Sequence, residues 1–158
     1  MTSDLRLAQR LALAVPAVLL AGAYLSQYAF GLPPCEMCWW QRYAHFAALA
    51  FALLALPLAR TRPALLALAA LAICVSGMIG GFHAGVEYGW WPGITTCAQP
   101  AGLGGGGDPL AAIMDAPLVR CDVAPWTLAG VSLAGWNALL SLLAGLAVFR
   151  LLGLEKRA

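Results

Sequence analysis

The stretch LPPCEMCWWQRYAHF, residues 32–46, sets Cys35 and Cys38 in a C-x-x-C spacing and follows them with Arg42. Three more cysteines stand at Cys74, Cys97 and Cys121. A disulfide between residues so close in sequence closes a tiny ring and constrains little of the unfolded chain, so Cys35 with Cys38 is a poor staple. The same spacing suits a pair that cycles between dithiol and disulfide, because one thiolate attacks and the other resolves. Structural disulfides and a zinc site are the competing chemistries. Cys97 and Cys121 flank a long glycine-rich stretch and do not supply the second C-x-x-C of a zinc ribbon, so no metal is expected.

Other residues extend the redox reading. Arg42 lies four positions after Cys38, so on a helix the two share a face, where a cation stabilises a thiolate and donates hydrogen bonds to a carbonyl oxygen. An arginine snorkelling from an apolar helix to water is the plainer alternative. In GGFHAGVEYGWWPGITTC, His83 and Glu87 are one helical turn apart. His83 could bond a ligand oxygen or pass a proton, or simply sit at an interface. Glu87 is expected to be solvated, and His45 to be a packed polar residue. Trp39, Trp40, Trp90, Trp91 and Trp126 suit an aromatic belt at a membrane interface. Cys74, inside an apolar run, is expected to behave as a small inert hydrophobe.

These groups need elements to hold them, and composition says which. The chain has 158 residues, 62% hydrophobic and 10% charged, with a mean hydropathy of +0.81. That excludes an ordinary soluble domain and describes a membrane protein. Four blocks, residues 11–30, 43–59, 64–82 and 128–149, contain no Asp, Glu, Lys or Arg. Each holds roughly 17–22 residues, enough at about 1.5 Å per helical residue to cross a hydrocarbon core of about 30 Å. Backbone groups in lipid must be satisfied internally, so the expected fold is all-α: a four-transmembrane-helix bundle forming a single domain over residues 1–158. Gly77 with Gly81, and Ser76 with Gly80, give the small-xxx-small spacing of close helix packing. The first block follows Arg6 and Arg10 as a signal peptide would, yet its apolar run is too long for one.

Seven of the nine cations, namely Arg6, Arg10, Arg60, Arg62, Arg150, Lys156 and Arg157, fall on one side of such a bundle. The positive-inside rule makes that side cytoplasmic, with both termini in and the loops 31–42 and 83–127 out. The small net charge follows from this topology and suggests no nucleic-acid partner. Cys35 and Cys38 follow one span and Cys97 and Cys121 follow three, so all four face the same, outer compartment, where disulfides form. Between Cys97 and Cys121, Gly104 to Gly107 read as a hinge. Beyond them Leu110, Ile113, Met114 and Leu118 recur at helical spacing, as in a short helix on the membrane surface.

Taken together, CEMCWWQR after the first span, TTC and RCD bracketing the second outer loop, and PWTLAGVSLAGWN entering the last span resemble the bacterial disulfide bond formation protein DsbB family over nearly the whole chain. Gln41 stands where some relatives carry an acidic residue, and the glycine run is particular to this chain. The resemblance implies a thiol:quinone oxidoreductase of the bacterial inner membrane with its redox loops in the periplasm. It implies that a periplasmic DsbA-like thioredoxin-fold partner attacks Cys97, that Cys121 passes electrons to Cys35, and that Cys38 delivers them to ubiquinone or menaquinone near Arg42 and His83. The known partner of that relay has a potential near about −120 mV, against about −180 mV or lower for a glutathione-buffered lumen, so a thiol pool cannot reoxidise it and a quinone can. Two rival readings remain. One is a quinone reductase similar to vitamin K epoxide reductase, whose C-x-x-C lies late in the chain. The other is a non-enzymatic membrane scaffold stapled by disulfides.

Overall fold

The computed structural model describes residues 2–95, 99–100 and 118–155. Four helices dominate them: α1 (Ser3–Tyr28), α2 (Glu36–Leu54), α3 (Arg62–Glu87) and α4 (Leu133–Glu155). Two small antiparallel ladders accompany them. β1 (Gln99–Pro100) pairs with β2 (Leu118–Val119), and β3 (Thr127–Leu128) pairs with β4 (Val131–Ser132).

Local chemistry moves the helix ends from where the apolar blocks put them. α1 starts at Ser3, not residue 11, because Thr2 caps it by accepting the Leu5 N–H at 3.2 Å. α2 starts at Glu36, with Cys35 itself as N-cap, so Cys38 and Arg42 ride on the helix and not in a loop. It stops at Leu54, short of residue 59, ahead of Pro57, which cannot continue a helix. The Arg62 guanidinium caps that end by donating to the carbonyls of Ala55 and Leu56, both at 2.8 Å. α3 runs on to Glu87, five residues beyond the apolar block, and carries His83 with it. α4 begins at Leu133, not residue 128, because the preceding residues form the β3–β4 hairpin. Its two turn residues, Ala129 and Gly130, have φ of 52° and 78°, as a tight type I′ connection demands.

α1, α3 and α4 are long and apolar enough to cross a membrane. α2 is not among them, since Glu36, Gln41, Arg42 and His45 occupy its first half. Many large apolar side chains face outward, Val18, Leu71, Leu143 and Leu146 among them, each more than half exposed. In a membrane this surface meets lipid.

α3 is the centre of the packing, set most extensively against α4 and then α2, while α1 lies beside α4 and α2. The close approach of α3 to α4 rests on Gly77 and Gly80. A methyl group at Gly77 would meet the Leu142 and Ser141 side chains and the Leu142 backbone N at 2.9–3.1 Å, and one at Gly80 would meet the backbone and amide of residues 134–138 at similar distances. Gly81 has only an ordinary 3.8 Å contact, so of the two small-residue pairs read from the sequence, Gly81 is not at the seam. Cys74 is buried and fits against Gly145, where a methyl would strike its sulfur. Near one end of the bundle Ala8, Ala12, Ala52, Leu66, Ala69, Ala70 and Val148 form a fully buried apolar core.

Candidate redox site

At the other end of the bundle the structure gathers the thiols. Cys35 is the N-cap of α2 and Cys38 its third helical residue, the two positions that exchange hydrogen bonds in a capping box. The Cys38 N–H donates to Cys35 Sγ at 3.4 Å, and the two sulfurs lie 3.3 Å apart as a dithiol. The Cys35 thiol donates toward Cys38, and this sharing separates their acidities. Cys35 is pushed up to about 12 from the ordinary 9.0, by that bond first and by burial second. Cys38 is lowered, chiefly because the Cys35 thiol stabilises its thiolate, with help from the Cys35 main-chain N–H. Both precede the apolar run that begins at Tyr43. Cys38 is therefore the more acidic thiol of the pair and Cys35 the less acidic.

Cys121 joins them in one buried cluster with Met37 and Val86, edged by Trp40, Phe82 and Val119. The Thr95 hydroxyl donates to its sulfur at 3.5 Å. Beside it Arg120 and Asp122 make an exposed two-pronged ion pair at 2.6 and 2.9 Å. Cys97 lies outside the described residues, as do Gly104 to Gly107 and the first three residues of the proposed surface helix. Leu118, the fourth, is in strand β2 instead. The β1–β2 ladder ties the chain together two residues after Cys97 and two before Cys121.

His83, from α3, stands with Nε2 3.6 Å from Cys35 Sγ. Its tautomer follows from what lies behind it. Gln41 Nε2 is a pure donor and meets His83 Nδ1 at 3.1 Å, so Nδ1 accepts and a neutral His83 carries its proton on Nε2, facing Cys35. Gln41 Oε1 in turn accepts from Asn137 Nδ2 at 2.8 Å, and Asn137 Oδ1 accepts from His45 Nε2 at 2.9 Å. Ser76 and Ser141 complete the layer. One directed chain thus runs from His45 through Asn137, Gln41 and His83 to the thiol. Sequence reading missed it except as a packed His45. The available signal was Gln41 and His45 at i, i+4 and a lone amide, Asn137, in the last apolar block.

Glu87 overturns its expectation of being solvated. Its side chain is 2% exposed, with Oε1 3.7 Å from His83 Nε2 and Oε2 without a partner among the described residues. It is carried inward because α3 does not stop at residue 82.

Arg42 is buried too, and α1 holds it there. It donates to Gln27 Oε1 at 2.6 Å and to the Ala23 carbonyl at 3.1 Å, with its guanidinium 4.7 Å from the Tyr24 ring centre and 4.9 Å from that of Trp39. Trp39 is therefore an arginine partner and Trp40 a neighbour of the thiols, whereas Trp90 and Trp126 are exposed as a belt requires. A cavity of about 350 Å³ opens between these groups, with walls from α1 (Leu19, Ala23), Cys38, Arg42, His45 and His83, and from α4 (Trp136, Asn137). His45 Nδ1, in its wall, is buried with no partner among the described residues.

A redox-suited thiol pair, a third buried cysteine and an apolar cavity at one end of an apolar helix bundle agree with what known proteins indicate. No curated protein and no solved structure matches the chain. The family model described as "Disulfide bond formation protein DsbB" matches residues 5–151. The chain therefore belongs to the DsbB family, and is a multi-pass membrane oxidoreductase of disulfide bond formation.

Proposed function

We propose that the protein reoxidises a periplasmic DsbA-like thioredoxin-fold dithiol and passes the electrons through Cys97 and Cys121, then Cys35 and Cys38, to a membrane quinone. The carrying observation is that Cys121, Cys35 and Cys38 share one buried cluster at the wall of an apolar cavity. Thiol–disulfide exchange needs sulfurs in reach of one another and a thiolate to attack.

The steps follow from the chain's own groups. A partner thiolate attacks Cys97 in a Cys97–Cys121 disulfide, forming a mixed disulfide and releasing Cys121 as thiolate. Cys121 attacks Cys35 in the Cys35–Cys38 disulfide, and Cys38 leaves as the thiolate, the role its lowered pKa favours. The partner's second thiolate then attacks its own sulfur in the mixed disulfide, leaving oxidised partner and Cys97 as thiol. Cys97 attacks Cys121 in the interloop disulfide, restores the Cys97–Cys121 bond and frees Cys35, which takes up a proton. His83 Nε2–H faces Cys35 and is placed to stabilise negative charge as that sulfur leaves.

The cavity suits a quinone by chemistry as well as size. Arg42 has N–H donors for a carbonyl oxygen, His45 Nδ1 is an unused buried acceptor for a hydroxyl of the reduced quinol, and the remaining wall is mainly apolar. Ubiquinone and menaquinone both fit that description. When bound, the quinone supplies the sink for two electrons and two protons. Arg42 would hold its oxygen, and the Tyr24 and Trp39 rings hold the guanidinium in place.

We further infer four membrane crossings in one domain over residues 1–158, both termini cytoplasmic, in a bacterial inner membrane. Arg6, Arg10, Arg60, Arg62 and Arg150 then lie on one side, and α2 crosses with Arg42 near its outer end.

The test mixes purified protein, a reduced thioredoxin-fold dithiol partner and a soluble quinone, and follows quinone absorbance. Turnover is expected, with loss of activity in Cys38→Ser and most activity kept in Cys74→Ser. A Cys38→Ser protein reducing quinone at the parent rate would exclude the relay.

A further inference from the structure

The reduced site has a second chemistry besides electron transfer. A tetrahedral zinc ion with Zn–S near 2.3 Å and Zn–N near 2.0–2.1 Å separates two sulfurs by about 3.8 Å and a sulfur and nitrogen by about 3.6 Å. Here Cys35 Sγ lies 3.3 Å from Cys38 Sγ and 3.6 Å from His83 Nε2, and all three atoms fall within 4.8 Å of one another. That is a Cys₂His set on one face of a ligand tetrahedron.

A second, independent feature, a buried carboxylate, lies beside this set. Glu87 Oε1 is 3.7 Å from His83 Nε2, close to the edge of about 3.4 Å that nitrogen and oxygen ligands of one zinc ion subtend. Its Oε2 is buried without a partner among the described residues. A buried, orphaned carboxylate oxygen costs free energy unless something positive meets it. Ligation through Nε2 puts the imidazole proton on Nδ1, so the Gln41 amide, which donates to Nδ1 in the free site, must turn its Oε1 there to accept it, the outer hydrogen bond that fixes a metal-binding imidazole.

We propose that the reduced Cys35–Cys38 pair and His83, with the Glu87 carboxylate beside them, form a binding site for one thiophilic divalent cation such as Zn²⁺, and that the disulfide form lacks it. Binding moves no electrons. The ion takes two thiolates and a neutral imidazole: the two thiol protons pass to solvent, and the proton on His83 Nε2 is replaced by one on Nδ1. In the disulfide the two sulfurs are bonded to each other and hold no ligand charge, so oxidation abolishes the site. The ion therefore locks the dithiol and withholds Cys38 from exchange. This goes beyond the relay, since it needs neither quinone nor partner.

The experiment uses the full chain in detergent, in a Cys97→Ser, Cys121→Ser background, titrated with Zn²⁺ against a chromogenic chelator and with Co²⁺ as a spectroscopic probe. Expected are one ion per reduced chain and a sulfur-to-cobalt charge-transfer band. Oxidation of the pair, or Cys38→Ser, should weaken binding at least about 100-fold, beyond the roughly 10–100-fold range that loss of an outer partner costs. His83→Ala should do likewise, and Glu87→Gln should weaken binding about tenfold. Cys74→Ser should bind as the parent does, and circular dichroism should show each variant helical. Equal affinity in oxidised and reduced protein, or a stoichiometry that survives loss of Cys38, would overturn the proposal. Because no quinone is present, a negative result leaves the relay standing, and a failed relay leaves this site standing.

Discussion

Replacing Asn137 with leucine tests whether the hydrogen-bonded chain behind the thiols is a structural unit. Asn137 Nδ2 donates to Gln41 Oε1 at 2.8 Å and to Ser76, and its Oδ1 accepts from His45 Nε2 at 2.9 Å and from Ser141 at 3.1 Å. Leucine of similar size fills the space but leaves Gln41 Oε1 and His45 Nε2 facing apolar surface. Counted as orphaned buried groups at about 1–3 kcal/mol each, the two would cost about 2–6 kcal/mol. Side-chain hydrogen bonds in membrane bundles measure lower, averaging about 0.6 and reaching about 1.7 kcal/mol, because the unfolded chain in lipid also finds partners. The second figure applies between helices of a bundle such as this, and two strong bonds then give about 1–3 kcal/mol. The assay is reversible unfolding in mixed micelles by added dodecyl sulfate, read by circular dichroism. A nitrogen NMR spectrum of labelled histidine adds a readout that mere packing would not move: with Gln41 no longer anchored, His83 loses its single Nε2–H tautomer. A loss below about 0.5 kcal/mol, the scatter of surface substitutions, with an unchanged His83 spectrum would refute the chain as a unit.

Other consequences can be checked as directly. In a Cys97→Ser, Cys121→Ser background, alkylation of the reduced pair against pH should show Cys38 reacting below the ordinary thiol value of 9.0 and Cys35 silent until near 12; Cys38→Ala should bring Cys35 down, since its bond to Cys38 is the largest cause of its elevation. The reverse order of reactivity would reverse the assigned roles. Arg42→Ala should raise the quinone KM strongly and Arg42→Lys less, because a point charge replaces a planar fork; unchanged values in both would leave Arg42 a tether to α1. Gly77→Leu should cost at least about 1–3 kcal/mol by overpacking against Leu142 and Ser141, while Gly153→Ala, with open space around it, should be neutral in the same unfolding assay. Combining Cys121→Ser with a partner lacking its resolving cysteine should trap a mixed disulfide through Cys97, and mass spectrometry placing the link at Cys35 would overturn the order of the relay.

Much of this protein is written in its sequence because lipid imposes simple demands. A long uncharged run must satisfy its own backbone, so the apolar blocks mark the helices before any contact is known. The spacing of Cys35 and Cys38 marks redox chemistry because a ring so small is a poor staple. Where local rules compete, the blocks mislead by several residues. Cys35 caps α2 and pulls Cys38 and Arg42 onto a helix, Pro57 ends α2 early, and α3 overruns its apolar block by five residues. Only the tertiary structure decided what those shifts bring together. His83 and Glu87 are far in sequence from Cys35, and Asn137 is farther from Gln41, so no periodicity links them. They meet because Gly77 and Gly80 let α4 close on α3 while α2 packs on the same helix, and because the buried polar groups of each helix find partners only on the others. Sequence named the thiols, and packing decided which sulfur holds the proton and what stands beside it.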